Sequence, residues 1–121
     1  MEKISVNIES KVELTRQDID DLVVTALEGG INYWCRKAKV LQCPEPYTYA
    51  SDVISRNGSL MLYDAESPDK WELTLEKFMK GVKFVCERDK YTNAEDLMDN
   101  HDADTADAIV QYALFNEIVF G

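Results

Sequence analysis

A chain of 121 residues, 45% of them hydrophobic, is long enough to fold as one domain (1–121) around its own core without metals or disulfides. Its 23 acidic and 13 basic residues give a formal net charge of −10, which repels phosphate backbones and anionic membranes and argues against direct nucleic-acid or membrane binding. No apolar run approaches the roughly 20 residues that span a bilayer, the start of the chain lacks the apolar block of a signal peptide, and Cys35, Cys43 and Cys86 form neither an even disulfide set nor a zinc-type pair, so the expectation is a soluble cytoplasmic protein.

Ile4, Val6 and Ile8 alternate with polar residues, the period of a half-buried strand. Thr15 with Asp18 approximates a capping box and opens a helix whose apolar face is Ile19, Leu22, Val23, Ala26 and Leu27. Gly29 or Gly30 is expected to end it in a left-handed cap. A strand is predicted over 33–42, stopped by Pro44 and Pro46. Asn57-Gly58 marks a turn before a strand over 59–63, and Glu66-Ser67-Pro68-Asp69 a second turn before Trp71-Glu72-Leu73, which pairs back as a hairpin arm. Thr74 caps a helix carrying Leu75, Phe78, Met79, Val82, Val85 and Cys86, in which Gly81 costs about 1 kcal/mol relative to Ala. Residues 89–101 are expected to be a mobile acidic loop. Asp102 starts a last helix with Ala106, Ile109, Val110, Ala113 and Leu114 inward, and 117–120 is expected to be a short closing strand. Strands and helices do not alternate strictly, so the fold class is α+β: a mostly antiparallel sheet with about three helices packed on one face.

Charge is uneven along the chain. Residues 1–60 hold 7 basic and 9 acidic residues, whereas 61–121 hold 6 and 14, with no Lys or Arg after Lys90. Glu95, Asp96, Asp99, Asp102, Asp104 and Asp107 are the candidate residues of an acidic partner-binding face, suited to a basic protein surface; solubility alone also accounts for such a bias. Asp102 and Asp104 do not complete a calcium loop, since Thr105 stands where Gly belongs and Gln111 where Glu belongs.

The stretch Glu28-Gly29-Gly30-Ile31-Asn32-Tyr33-Trp34-Cys35-Arg36-Lys37 concentrates glycines, aromatics, a thiol and cations. Cys35 beside two cations has the setting of a nucleophile, but the single histidine, His101, lies in a polar acidic run, and a structural thiol is the simpler reading. Rings for stacking and cations for phosphate make the segment 31–39 a candidate nucleotide or anion pocket, with Glu28, Asn32, Tyr33, Trp34, Arg36, Lys37, Asp64 and Trp71 as its candidate residues. Alternatively Trp34 is core and the cations a solvated strand face. No phosphate loop, dinucleotide fingerprint, G-x-S-x-G or H-E-x-x-H is present, and no catalytic residues, metal or cofactor are assigned.

The segment Val24-Thr25-Ala26-Leu27-Glu28-Gly29-Gly30-Ile31-Asn32-Tyr33-Trp34-Cys35, with Leu62-Tyr63-Asp64-Ala65-Glu66 and Gln111-Tyr112-Ala113-Leu114-Phe115, resembles a family of small acidic bacterial and phage proteins, mostly without an assigned function. The likeness runs from Asp18 to Gly121 and carries no catalytic motif. It implies the company of mobile elements, which often encode small acidic inhibitors of host defence. The leading expectation is therefore a non-enzymatic binding protein that blocks a host defence protein through an acidic, DNA-mimicking surface, as anti-CRISPR proteins do. The alternative is a small-molecule binder, such as a sponge for a nucleotide signal, using 31–39.

Overall fold

A computed structural model describes the backbone of Lys3–Asn7 and residues 12–121. In order these form β1 (Lys3–Asn7), β2 (Val12–Thr15), α1 (Arg16–Thr25), β3 (Cys35–Gln42), β4 (Ser59–Asp64), β5 (Lys70–Thr74), α2 (Leu75–Asp89), α3 (Ala94–Asn100) and α4 (Ala103–Phe115). The chain is α+β, as its pattern indicates. One antiparallel sheet has the order β3-β4-β5, and β1 and β2 form a separate antiparallel pair. Ile8, expected in the first strand, lies outside the described residues, and the sequence pattern had not revealed β2.

Thr15 closes a full capping box on α1. Its hydroxyl accepts from the Asp18 N–H at 3.1 Å, and the Asp18 carboxylate accepts from the Thr15 N–H at 3.0 Å, so the shorter acid serves in place of Glu. The inward face is as spaced, with Ile19, Leu22 and Val23 buried. The exit differs from expectation. No glycine has positive φ; Ala26–Gly30 continues as one wider π-helical turn, closed by the Ile31 N–H donating to the Ala26 carbonyl at 2.9 Å. Gly30 is needed for space, because a Cβ there would stand 2.8 Å from the Ala103 carbonyl oxygen at the start of α4.

Residues 31–34 form a turn, so β3 begins at Cys35 rather than 33. Leu60, Leu62 and Leu73 bury one side of the sheet, and the helices α2 and α4 pack on each other and on β5. The left-handed cap that glycine does not provide is supplied elsewhere by Asn57, Lys90 and Asn116, at φ 65°, 62° and 61°.

Two further corrections concern the C-terminal third. Within 89–101, expected as a loop, Ala94–Asn100 is a helix; Asn93 caps it by accepting from the Asp96 N–H at 2.8 Å, and Leu97 anchors it in the core. Residues 117–120 are not a strand. One hydrophobic cluster joins β2, α1, the β4–β5 hairpin and α2 to α4. No helix among the described residues is long and apolar enough to cross a membrane.

Candidate functional site: a groove beside a plugged aromatic socket

The turn 31–34 divides the residues singled out above between two places. Asn32, Arg36 and Lys37 face one side and, with Leu27, Ile31, Cys35 and Ala38, line a depression of about 170 Å³. Glu28 lies in an adjoining depression of about 420 Å³ with Val24, Leu27, Tyr49, Ala50 and Ser51. The two lie side by side with Leu27 as their common wall and are together called the groove: an apolar part beside the 69%-exposed Tyr49, and a smaller, more polar part at Asn32 and the two cations. Arg36 and Lys37 both lie over the Tyr63 ring, at 5.2 and 5.4 Å from its centroid, and the Arg36 Nε–H donates to the Asp64 carbonyl at 3.2 Å. Among the described residues neither has a carboxylate within ion-pair distance.

Tyr33, Trp34 and Trp71 belong to the other place. Trp34 is buried, and its Nε1–H donates to Asp107 at 2.8 Å. Phe120 stacks on it, with centroids 4.9 Å apart and planes 3° from parallel, while Trp71 meets it edge-on at 5.9 Å. The Tyr33 hydroxyl donates to Asp107 at 2.6 Å. Tyr33 as a residue is 55% exposed and sits at the rim; partial shelter of its hydroxyl, then the bond to Asp107, pushes it up to about 12. Trp34 and Trp71 are therefore parts of a filled socket, with no face left for a ligand of the groove. Asp64 binds its own turn: it accepts from the Ser67 hydroxyl and the Glu66 N–H, the first of which holds its carboxyl below the usual carboxylate range.

The acidic residues also divide. Glu95, Asp99, Asp102 and Asp104 are exposed and Asp96 is partly so, and Glu95, Asp96 and Asp99 line a shallow depression of about 310 Å³ with Asn93. Asp102 caps α4; the Thr105 N–H and hydroxyl, each 3.0 Å from its Oδ1, hold its carboxyl below the ordinary value. Asp107 is not on this face. It is 9% exposed and accepts from Tyr33, Trp34 and, at 3.0 Å, the Gln111 side chain.

A cysteine–histidine pair is not formed. Cys35 is buried, which raises its thiol, and the S–H donates to the Lys37 carbonyl at 3.3 Å. His101 is engaged elsewhere, with its ring nitrogens 2.9 Å from the Met98 carbonyl and 3.3 Å from the Thr25 hydroxyl.

Sequence reasoning placed Leu27 only as part of a helix face, not as the wall common to both depressions. It passed over Tyr49, which lines the apolar one, and Gln111, whose signal was a polar residue inside the apolar run Ile109-Val110-Gln111-Tyr112-Ala113. Comparison with protein-family models, curated proteins and solved structures returns no match.

Proposed function

We propose that this chain is a non-enzymatic binding protein that captures a small anionic ligand bearing a flat ring, of the nucleotide type, in the groove at Leu27. The observation that carries this reading is the pairing of Arg36 and Lys37, free of carboxylate partners among the described residues, with an adjoining apolar stretch under Tyr49. The larger depression falls within the roughly 300–1,000 Å³ of small-molecule sites, and the smaller suits a phosphate-sized group. Arg36 and Lys37 would meet the anion, Asn32 would donate or accept at its edge, and Tyr49 and Leu27 would cover the ring. A raised thiol at Cys35 without a base beside it favours binding over nucleophilic chemistry. The resemblance to phage proteins supplies a biological sense: capture of a host nucleotide signal would disable the defence that uses it.

Thermal unfolding against a panel of cyclic and ADP-ribose-like nucleotides tests this. A true ligand at a hundred times its dissociation constant adds about 2.7 kcal/mol. Arg36→Ala/Lys37→Ala should abolish the effect and Tyr49→Ala should weaken it. A panel without any shift, or a shift unchanged in the double variant, removes the proposal.

The acidic-face reading keeps one observation of its own: Glu95, Asp96, Asp99, Asp102 and Asp104 gather on α3 and the start of α4, in a part of the chain with no Lys or Arg after Lys90. It proposes a host protein with a basic, nucleic-acid-binding surface as partner. It ranks second because local structure already accounts for two of them: Asp102 caps α4, and Asp96, in the first turn of α3, accepts from the Thr92 N–H. Binding to such a protein that survives charge reversal of Glu95 and Asp99 would sink it.

A further inference from the structure

The segment that follows α4 is held in a way that the groove does not require. After α4 the backbone turns at Asn116, a non-glycine residue at φ 61°, and continues without regular structure. The Gln111 Oε1 accepts from both the Val119 and Phe120 N–H groups at 2.8 Å. Its Nε2–H and the Tyr33 hydroxyl donate to the Phe120 carbonyl at 3.1 and 3.2 Å. Gln111 is 1% exposed, so a buried amide reads peptide backbone as the edge of a strand would. The Phe120 ring fills the space between Trp34, Trp71 and Phe115.

Trp34 and Gln111 of the socket belong to the buried core, while Trp71 and Phe115 are partly buried, as Phe120 is. The strap rests on two anchored positions and leaves Ile118 and Val119 43% and 52% exposed. Residues 116–119 are exposed, and exposed segments outside regular structure open at lower free energy than the helices and strands around them. A short strap joined through a tight hinge to a socket that any identical segment would fit is the arrangement that permits exchange between copies.

We propose that the Trp34–Trp71–Phe115–Gln111 socket is an exchangeable peptide site, whose occupant in an assembled form is the 117–120 segment of a second copy of this chain. The chemistry selects that occupant: it offers two successive N–H groups and a carbonyl to Gln111 and a flat ring to Trp34 in the same register. Exchange is reciprocal, so the contact closes as a two-fold dimer. Ile118 and Val119 of the two crossing straps then cover one another, removing apolar surface that one copy leaves in water. Net charges of −10 on each copy oppose association, so the dimer strengthens with salt.

Light scattering on the full chain across concentration reads the outcome. Asn116→Val disfavours the positive φ of the closed strap, keeps the N–H that the Tyr112 carbonyl accepts, and leaves every socket and strap side chain in place; it should tighten dimerisation by about tenfold or more. Phe120→Ala in that background should return the chain to monomer. A synthetic peptide of residues 116–121 in about hundredfold excess should dissociate the dimer, and this arm stands even if Phe120→Ala fails to fold. Monomeric Asn116→Val at every concentration, a dimer that survives Phe120→Ala in a folded chain, or a dimer indifferent to the peptide overturns the proposal.

Discussion

Asp107 and Gln111 stand one helical turn apart on α4 and hold the molecule's most connected polar network. Asp107 accepts from three side chains on two separate parts of the chain, and Gln111 passes that order on to the backbone of the terminal strap. Asp107→Ala strips a partner from the Trp34 indole and the Gln111 amide at once. Since each buried donor left unmet costs about 1–3 kcal/mol, it should lower unfolding free energy by about 3 kcal/mol in urea titrations, against a few tenths for the exposed Asp104→Ala. Tyr33 and Cys86 make a prediction on the alkaline side. Burial, helped by nearby Asp89 and Glu87, pushes Cys86 up to about 11 from 9.0, while Tyr33 rises from 10.0 to about 12. Both groups stay neutral in the fold after they have ionised in the unfolded chain. The stability they confer is whole below their unfolded values and is lost as pH rises, from 9.0 to about 11 for the thiol and from 10.0 to about 12 for the phenol. Urea unfolding at stepped pH should show this loss, and Tyr33→Phe should remove the part above pH 10.0. An alkaline profile unaltered in Tyr33→Phe would show that the phenol does not carry it.

Among the elements, glycine shows most directly what spacing conveys and what it hides. The sequence prices Gly81 as a flaw in α2, but a Cβ there would come within 2.1 Å of the Ile109 carbonyl oxygen and 3.0 Å of the Ala113 nitrogen. The residue is what lets α2 and α4 cross at backbone distance. Gly81→Ala, a change that usually stabilises a helix, should therefore cost about 3 kcal/mol or more, because backbone cannot shift as a side chain can; a neutral result in thermal unfolding would contradict the close crossing. Gly30 teaches the same lesson at the π-helical turn: a left-handed cap and a close approach both select glycine, and only the partner, here Ala103, separates them. Elements with strong local signals were legible. The Thr15 box, the apolar face of α1, the Asn57 turn before β4, the β4–β5 hairpin with its Ser67-Pro68 turn, and the Thr74 and Asp102 caps follow from residues within a few positions of each other. Helix α3 was not, because Leu97 is its one fully buried side chain and tertiary packing rather than periodicity forms it. The site was half legible for a related reason. Tyr33 and Trp34 lie between Asn32 and Arg36, yet a turn sends the Trp34 indole into the socket and the Tyr33 hydroxyl to Asp107 at its rim, and leaves the polar residues in the groove. Their destinations depend on Asp107 and Phe120, more than seventy residues away.

On the scale of the whole molecule, the charge distribution makes the two binding readings separable by one rate measurement. The chain carries −10, but the polar end of the groove is locally cationic through Arg36 and Lys37. An anionic nucleotide is repelled at long range and attracted only on arrival. Salt screens the long-range repulsion first: the Debye length falls from about 30 Å at 0.01 M to about 8 Å at 0.15 M, while contacts inside the groove are screened less. Association of a nucleotide should therefore hold steady or quicken as salt rises over that range, and Arg36→Ala/Lys37→Ala should act mainly by speeding dissociation. A basic protein approaching the carboxylates of α3 and α4 obeys the opposite rule, because the whole field draws it in. Its association should slow by about tenfold or more over the same range, as for other electrostatically steered pairs. Stopped-flow Trp fluorescence at four ionic strengths measures both. Trp34 reports through its contact with the turn that lines the groove, and an extrinsic dye on the partner serves the second case. Nucleotide association that slows steeply with salt would mean that the field reaching the ligand is positive. That would contradict entry past the net negative surface and place the anion's contacts somewhere other than this groove.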